Sequence, residues 1–492
     1  MSPNSLKNTQ ITHLALAAQQ VMLPTPPGAS VDALEPLAYP QPATIEASKI
    51  TGLITAVHLG LVPKLNYGPE FEYVLIPSDW LVFPGLIDAH VHLNEPGRTA
   101  WEGFKSGTNA AASGGITTLV DMPLNSIPPT TTVENFKEKR LAAQGQCRVD
   151  VGFWGGVIPH NQNELIPLVK EGVKGFKCFL IESGVEEFPC VSEADLELAM
   201  SKLQDAGSLL LFHAELDCPA SIHGAPGHHV NKEMSDVQDP NLYSTFLESR
   251  STKYETDAIS LVVKLNNRFP NLKTHIVHLS AADALPILKE ARSSGLQISA
   301  ETCLHYLTLS TSSIPNGQPE YKCCPPIRTK ENQDELWRAL LENEIEYIVS
   351  DHSPCTADLK MNKTLMEAWG GIGGLGLGLS LIWTEGKQRQ VKNLEGWVLK
   401  WLCERPARKV KLGHLKGRIS VGSQCDFCIF NPYEFFEVTT SELKFKNKIS
   451  PYIGMKLTGR VMQTFLAAKT VFDFRRQGFV GIEDIYGGKL LI

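Results

Sequence analysis

The chain has 492 residues, of which 43% are hydrophobic and 20% are charged, and these values are typical of globular proteins. Its formal net charge of −7 leaves no broad basic surface for a phosphate backbone, so nucleic acid is not an expected partner. The longest apolar runs are much shorter than the ~20 residues that cross a bilayer, so no membrane anchor is expected.

The cysteines and the start of the chain bear on the compartment. Residues 1–20 lack the basic start, apolar centre and small-residue cleavage site of a secretory signal, so the cytoplasm is expected. Eleven cysteines without a regular framework fit a reducing compartment better than a disulfide scaffold. Cys425 and Cys428 have the spacing of a zinc-binding pair, but they lie in an apolar strand pattern without a second pair. We interpret them as packing residues.

The pattern of apolar residues changes along the chain. Residues 1–82 carry short alternations broken by proline and glycine, which predict strands and turns. Residues 83–405 alternate apolar strands with helical segments, for example helices at 133–143 and 194–205, which predicts a parallel sheet, open or closed into a barrel. Residues 406–475 are strand-like again. We therefore expect both chain ends to meet in one small β domain, with residues 476–492 as a tail.

Two histidines, His90 and His92, follow the apolar run of residues 81–87, which predicts one buried strand. Side chains alternate along a strand, so the two imidazoles share one face and Val91 points to the other. Histidine is the commonest metal ligand, and this spacing favours a metal site. If this histidine pair stood alone, a second interpretation would be equally good, in which one histidine is buried and hydrogen-bonded and the other is an incidental neighbour.

Four further strand-like runs carry a polar side chain near their carboxyl end: Lys177, His213, His278 and Asp351. Active sites of barrel proteins assemble at the carboxyl ends of the strands. Each residue alone is more commonly a buried, hydrogen-bonded group or a turn cap. Together with the histidine pair they make six polar groups on five strands, and burying so many is costly unless something pairs them. We predict one shared site.

Lys177 is the unusual member, because an ammonium group cannot bind a cation. One interpretation is a buried lysine with a carboxylate partner, and a second is a lysine that forms a Schiff base. A third is that carbon dioxide has carboxylated the amine to N6-carboxylysine, whose two oxygens can bridge two divalent metal ions. Only the third interpretation uses all six residues. The first metal would bind His90, His92, Asp351 and one carbamate oxygen, and the second His213, His278 and the other oxygen.

Several longer motifs surround these residues. They are PGLIDAHVHLNEPGR at 84–98, DMPLNS at 121–126, GFK at 175–177, ETCLHY at 301–306, CPPIR at 324–328 and SDHSP at 350–354. On these motifs, residues 83–471 resemble the cyclic amidohydrolase branch of the metal-dependent hydrolase superfamily, and most closely its allantoin-hydrolysing members. The resemblance implies an α/β fold, a TIM-like (β/α)8 barrel with a composite β-sandwich, and it implies two metal ions with a carboxylated lysine.

The resemblance also implies an activity. The expected reaction is hydrolysis of the ring amide of allantoin, a small ureide, to allantoate in purine degradation, with Asp351 as the catalytic base. Dihydropyrimidinase or hydantoinase activity is the first alternative and dihydroorotase activity the second. A non-catalytic assembly protein is disfavoured because all six ligands are present. Zinc is the first choice of metal, with cobalt, manganese and iron as alternatives, and a homo-oligomer, a tetramer, is implied.

Three residues are expected to contact the substrate. Asn94 stands where dihydroorotases of similar pattern carry an arginine for the substrate's carboxylate, so the neutral side chain favours an uncharged ureide. By resemblance, Cys323 and Gly371 bring main-chain groups close to the ring. The glycine spacing at 371–376 also matches a dinucleotide fingerprint, but no buried strand precedes it.

Other polar residues near the motifs have simpler interpretations. His275 lies an odd number of positions from His278 and is expected to face away from the site. Glu248, Arg250 and Glu255 lie in a segment that resembles the family, and a solvated helix start with an ion pair is the simpler interpretation. His305 and His352 adjoin motifs, and the sequence leaves open whether they orient a ligand.

Overall fold

The computed structural model describes residues 10–24, 35–217, 239–476, 478–479 and 486–492. The strands are β1 His13–Met22, β2 Pro40–Ser48, β3 Ile54–Leu59, β4 Phe71–Leu75, β5 Leu81–Pro84, β6 Leu86–Val91, β7 Ile116–Asp121, β8 Asp150–Phe153, β9 Gly155–Gly156, β10 Phe176–Phe179, β11 Leu209–His213, β12 Lys273–Ile276, β13 Ile298–Cys303, β14 Tyr347–Val349, β15 Phe427–Glu437, β16 Lys456–Leu466 and β17 Lys469–Asp473.

The α-helices are α1 Phe104–Ser113, α2 Val133–Ala143, α3 Leu165–Glu171, α4 Glu193–Leu203, α5 Tyr243–Ser249, α6 Thr252–Arg268, α7 Leu285–Ser293, α8 Leu304–Thr308, α9 Lys330–Leu341, α10 Gly378–Gln388, α11 Leu394–Leu399 and α12 Arg405–Lys409. A π-helical turn, Lys400–Glu404, joins α11 to α12. None of the helices in the described part of the chain has the length and hydrophobicity needed to cross a bilayer.

Strands from both ends of the chain form one eight-stranded sheet. Its order is β17-β16-β15-β5-β1-β2-β3, and β4 pairs parallel with β1. The two ends are joined where β15 pairs antiparallel with β5. This sheet has an apolar cluster of its own, which includes Leu16, Ile45, Val82 and Phe427. The strand patterns at the two chain ends therefore contribute to the same sheet.

The middle of the chain forms parallel sheets that alternate with helices. A three-stranded sheet has the order β6-β7-β8, and a six-stranded sheet has the order β14-β13-β12-β11-β10-β9. β8 leads directly into β9, so the segment of residues 150–156 contributes one strand to each of these two sheets. At the opposite edges, Val91 in β6 forms a parallel bridge with His352, which follows β14. The prediction of an α/β chain with a parallel strand arrangement is confirmed.

The apolar run of residues 81–87 is two strands, so its prediction as one strand was wrong. β5 belongs to the eight-stranded sheet and β6 to the three-stranded parallel sheet. Gly85 lies between them, where a Cβ atom would lie 2.1 Å from Oγ1 of Thr117 and 2.8 Å from Cβ of Asp426. The chain passes from one sheet to the other at a point too crowded for a side chain.

The two helices predicted at 133–143 and 194–205 are α2 and α4. Thr132 caps α2, because its side chain accepts a hydrogen bond from the backbone N–H of Asn135. Ser192 and Asp195 form a capping box at the start of α4. Local sequence signals at the helix N-termini are therefore sufficient to set both start points within one residue.

Most cysteines serve as packing residues. Nine of the ten cysteines in the described part of the chain are free thiols. Cys425 and Cys428 are fully buried. No group of potential metal ligands among the described residues includes either of them, in agreement with their interpretation as packing residues.

Candidate metal centre

The six predicted ligands lie buried near the carboxyl ends of parallel strands. Their exposed fractions are 8% or less. The residues are His90, His92, Lys177, His213, His278 and Asp351. Ring centroids of His90 and His92 are 5.7 Å apart, those of His90 and His278 are 5.4 Å apart, and those of His213 and His278 are 4.6 Å apart. The structure thus brings imidazoles from three strand ends, spread over residues 90–278 of the sequence, into one cluster.

Asp351 lies between the first two histidines. Its Oδ1 atom is 3.2 Å from Nε2 of His90 and 3.5 Å from Nε2 of His92. One ligand atom from each of the three residues lies within 4.8 Å of the others, which is a group able to hold a metal ion. Asp351 and His278 both have left-handed backbone conformations, with φ of 44° and 39°. Such conformations are strained for these residue types and are common at functional sites.

A buried carboxylate orients His90. Glu301, in β13, accepts a hydrogen bond from Nδ1 of His90 at 2.6 Å and another from Nε2 of His275 at 3.1 Å. Nε2 of His90 has no hydrogen-bond partner. A carboxylate that holds one imidazole nitrogen and leaves the other free is the usual support of a metal-binding histidine.

His275 does not face away from the site, so that prediction was wrong. It bonds the same carboxylate as His90, and the Tyr347 hydroxyl lies 3.0 Å from its Nε2 atom. The alternation argument failed because β12 ends at Ile276 and His278 adopts a left-handed conformation. Strand alternation does not extend past the end of a strand.

Two other ligands are held in a similar way. The Asn125 side chain donates from Nδ2 to Nδ1 of His92 at 3.2 Å. His213 donates from Nε2 to the Glu215 carboxylate at 2.8 Å. His213 therefore keeps the lone pair of Nδ1 for another partner, whereas the neutral ring of His92, which accepts at Nδ1, carries its proton on Nε2, the nitrogen that lies 3.5 Å from Oδ1 of Asp351.

Glu255 is buried and Arg250 partly buried, and both pair with residues of other elements, so the predicted solvated helix start was wrong. Arg250 donates to the Glu215 carboxylate at 2.6 Å. Glu255 is 2% exposed and accepts a hydrogen bond from Arg328 at 2.9 Å. The closeness of these residues in sequence favoured an ion pair within the helix start. The fold instead brings them partners from other elements, Glu215 for Arg250 and Arg328 for Glu255.

The charge state of these residues suits a cation. Burial lowers the pKa of His92 to about 4, and it lowers the pKa of His278 well below its usual value. Both rings are therefore neutral at pH 7, which is the form that binds metals. Burial alone would raise the pKa of Asp351, but the adjacent His90 and His92 hold it below its usual range. Asp351 is therefore ionised.

Lys177 lacks the partner that a structural lysine would need. No carboxylate among the described residues forms an ion pair with it, and its Nζ atom lies 5.2 Å from the centre of the Phe179 ring. Burial lowers its pKa to about 8, which increases the fraction of free amine at neutral pH. The interpretation of Lys177 as an ion-paired structural residue is therefore not supported.

The residues present fit a divalent metal ion. Imidazole nitrogens and a carboxylate are the ligands that zinc and related ions prefer. Nε2 of His90 and Nδ1 of His278 are buried and make no hydrogen bond. Buried polar atoms without a partner are rare in folded proteins, and bound metal ions would satisfy both nitrogens.

Asn94 lies beside the segment that follows Asp351. It is 1% exposed, and its Nδ2 atom donates to the backbone carbonyl of Pro354 at 3.4 Å. Its Oδ1 atom is buried and has no partner. The side chain therefore has one hydrogen-bond acceptor available.

The loops that contain Cys323 and Gly371 meet beside the same segment. The backbone N–H of Gly371 donates to the carbonyl of Lys322, the residue before Cys323, at 2.9 Å. A Cβ atom at Gly371 would lie 2.3 Å from the carbonyl oxygen of Ser353. The absence of a side chain at 371 lets the two backbones approach this closely.

His352 supports the glycine loop instead of a ligand. Its Nδ1 atom accepts a hydrogen bond from the backbone N–H of Gly374 at 3.2 Å, so its Nε2 atom donates to the Glu102 carboxylate at 3.2 Å. His305 is fully buried, and neither of its ring nitrogens has a partner.

Sequence reasoning missed the residues that orient the ligands. Glu301 lies in a strand whose six residues are all buried, but Ser299 and Thr302 in the same strand are polar too, so its only sequence signal was its place in the motif at 301–306. Asn125 was visible only as a member of the motif at 121–126. Glu215 follows His213 by two positions, which puts both side chains on one face if the strand direction continues.

The chain matches the model of the Amidohydrolase family over residues 81–471, and it belongs to that family. It is 44% identical over 439 residues to the allantoinase of Saccharomyces cerevisiae, an alignment that covers 88% of this chain and 92% of that protein. It is 47% identical over 381 residues to the mitochondrial allantoinase of Aquarana catesbeiana, covering 76% and 75% of the two chains.

A solved structure has the same fold. The L-hydantoinase (dihydropyrimidinase) from Arthrobacter aurescens superposes with a TM-score of 0.80 at 24% identity, covering 93% of this chain and 96% of that one. At this identity the likeness establishes the fold alone.

Proposed function

We propose that this protein acts as an allantoinase, which hydrolyses the ring amide of allantoin to allantoate in purine degradation. The observation that carries the proposal is the 44% identity to a yeast allantoinase, with 92% of that protein covered. The cluster of His90, His92 and Asp351 supports it, since amide hydrolysis in this family is metal-dependent.

We also propose the finer architecture that the family fold implies. The strands β6, β7, β8 with β9, and β10 to β14 would close into a TIM-like barrel of eight strands. The parallel bridge between Val91 and His352 supports closure between β14 and β6. Residues 1–82 and 406–475 would form the composite β-sandwich, 83–405 the barrel, and 476–492 a tail.

A cytoplasmic homotetramer is the proposed assembly, and light scattering of the purified protein measures its subunit number.

The proposed cofactors are two divalent ions, zinc first, bridged by carboxylated Lys177. His90, His92 and Asp351 would hold one ion, and His213 and His278 the other. When bound, the ions supply a water of lowered pKa and polarise the substrate's ring carbonyl. The isolated amine of Lys177, with its pKa lowered to about 8, supports reaction with carbon dioxide.

Asp351 is the proposed catalytic base. It accepts a proton from the attacking water and delivers that proton to the departing ring nitrogen. The C–N bond of the ring breaks as the carbonyl carbon gains the oxygen of the water, so the product carries one new carboxylate. The ionised state of Asp351, held by His90 and His92, supports its action as an acceptor.

The side chain of Asn94 supports selection of a neutral ring. Its free Oδ1 atom is a hydrogen-bond acceptor, which suits a ring N–H. Being uncharged, it offers no counter-ion for the carboxylate of dihydroorotate. The backbones at Cys323 and Gly371 are proposed to complete the contacts to the ring.

A comparison of four substrates tests the proposed function. The protein would be supplied with zinc or manganese and bicarbonate, and kcat/KM measured with allantoin, hydantoin, dihydrouracil and dihydroorotate. We expect the highest value with allantoin. A higher value with hydantoin or dihydrouracil would assign the chain to the hydantoinases instead. Absence of hydrolysis of all four substrates by the metal-loaded protein would reject the enzyme proposal.

A further inference from the structure

We propose that Cys303, His305 and Asp351 form a cation site beside the candidate metal centre, and that this site selects a soft, thiophilic divalent ion such as Cd²⁺. One potential ligand atom from each residue lies within 4.8 Å of the other two. The site is distinct from the group of His90, His92 and Asp351, but the two groups share the Asp351 carboxylate.

The imidazole of His305 is the main reason to infer a ligand. His305 is fully buried at the start of α8, and neither of its ring nitrogens has a hydrogen-bond partner. The other buried histidines next to the motifs, His275 and His352, each have partners for both nitrogens. Burying a polar ring without any partner is costly, and a cation would satisfy one nitrogen.

Cys303 determines which kind of cation fits. It is the last residue of β13 and is fully buried. Its sulfur is the soft ligand atom of the group, and the free thiol carries one proton. A thiophilic ion replaces this proton, forming a metal–sulfur bond and releasing one proton to solvent. Hard ions such as Mg²⁺ prefer oxygen ligands and gain little from sulfur.

Sharing of Asp351 gives the site a consequence for activity. A soft ion bound to Cys303 and His305 would draw the Asp351 carboxylate away from His90 and His92. Asp351 would then no longer accept the proton from water. Occupancy is therefore expected to inhibit hydrolysis. This consequence depends on the proposed function, whereas ion binding itself does not.

Ultraviolet absorption from a thiolate bound to cadmium reports on the site directly. The full-length protein, loaded with its catalytic metal, would be titrated with Cd²⁺. None of the six catalytic ligands is a cysteine, so exchange of Cd²⁺ into that centre adds no thiolate band. We expect a band that saturates at one ion per chain and is lost in Cys303→Ser. The band should persist in Cys428→Ser, the control, because Cys428 is an equally buried thiol of β15.

Two further measurements use the same samples. His305→Gln is expected to weaken Cd²⁺ binding by about tenfold or more, which is about 1.4 kcal/mol. Cd²⁺ is expected to inhibit allantoin hydrolysis by the unsubstituted protein, and Cys303→Ser is expected to resist the same concentration. An unchanged band in Cys303→Ser, or the absence of any band, would overturn the proposal.

If Cys303→Ser fails to fold, ¹¹³Cd NMR of the unsubstituted protein replaces it. One resonance with a chemical shift typical of a single sulfur ligand supports the site, and a chemical shift typical of two or more sulfur ligands overturns it.

The ion-site proposal and the proposed function can be tested separately. A band that depends on Cys303, without hydrolysis of any cyclic substrate, supports the ion site and rejects the function. Hydrolysis of allantoin without such a band supports the function and rejects the ion site.

Discussion

The Glu301 carboxylate accepts a hydrogen bond from Nδ1 of His90 at 2.6 Å in the interior of the parallel strands. Burial alone would raise the pKa of Glu301, but hydrogen bonds from His275 and His90 hold it below its usual range, so Glu301 is ionised. The contact fixes the proton of His90 on Nδ1 and leaves Nε2 as a lone-pair donor. Glu301 therefore determines which nitrogen of His90 faces Asp351.

Glu301→Gln should weaken metal binding. The substitution keeps the shape of the side chain but removes the charge that polarises His90, and loss of such support lowers metal affinity by about 10- to 100-fold. Metal content after dialysis against graded chelator measures the effect. Glu102→Gln is the matched control, because Glu102 is also buried and bonds a histidine, His352, that is not a predicted ligand. Equal metal loss in both variants would contradict a specific role of Glu301.

Asp351→Asn should keep most of the bound metal and lose turnover. Asparagine retains an oxygen ligand but cannot accept a proton from water, and a general base contributes about 10²- to 10⁴-fold to the rate. kcat per bound metal ion is the quantity to measure. Near-normal kcat in this variant would remove Asp351 from the proposed mechanism.

Lys177→Ala should lose metal, because the proposed carbamate supplies an oxygen to each ion. Small carboxylic acids should partly restore metal content and activity, since a carboxylate offers two oxygens in a similar arrangement. Lys174→Ala, three residues earlier in the chain, is the control and should behave as the unsubstituted protein. Full metal occupancy in Lys177→Ala would argue against a bridging carbamate.

The metal-free protein should become less stable as the pH falls from 6.5 to 4. The unfolded chain binds a proton at His92 near pH 6.5, whereas the folded chain binds it only near pH 4, so acid favours unfolding between these values. For His92 alone the loss amounts to about 3 kcal/mol at full effect. Urea unfolding in chelator at several pH values measures it. His92→Gln should show a shallower dependence, and the exposed control His160→Asn an unchanged one. Identical slopes in all three proteins would exclude His92 as a source.

Asn94→Ala should raise KM for allantoin and leave metal content unchanged. Removing one hydrogen bond to a neutral ring costs about 1 kcal/mol, and up to 3 kcal/mol where the partner stays buried. KM, kcat and metal content would be measured on one preparation. Loss of metal together with activity would instead place Asn94 among the groups that support the ligands.

Local patterns predicted much of the fold. The helices α2 and α4 begin within one residue of their predicted starts because their capping residues are adjacent in sequence. The run of residues 81–87 misled the strand assignment because hydrophobicity does not reveal where a chain leaves one sheet for another. That division depends on crowding of Gly85 by Thr117 and Asp426, which lie far away in sequence.

The sequence by itself was sufficient to select the residues that the structure brings into one buried cluster. Histidines, a lysine and an aspartate at the ends of apolar runs are unusual enough to predict a metal site, since burial of each would otherwise be unfavourable. Only the tertiary structure decided how these residues are held. The bond from His90 to Glu301 joins positions 211 residues apart, and the direction of His275 depends on where β12 ends. Hydrogen bonds between distant strands follow from their packing, and no local pattern in the chain specifies that packing.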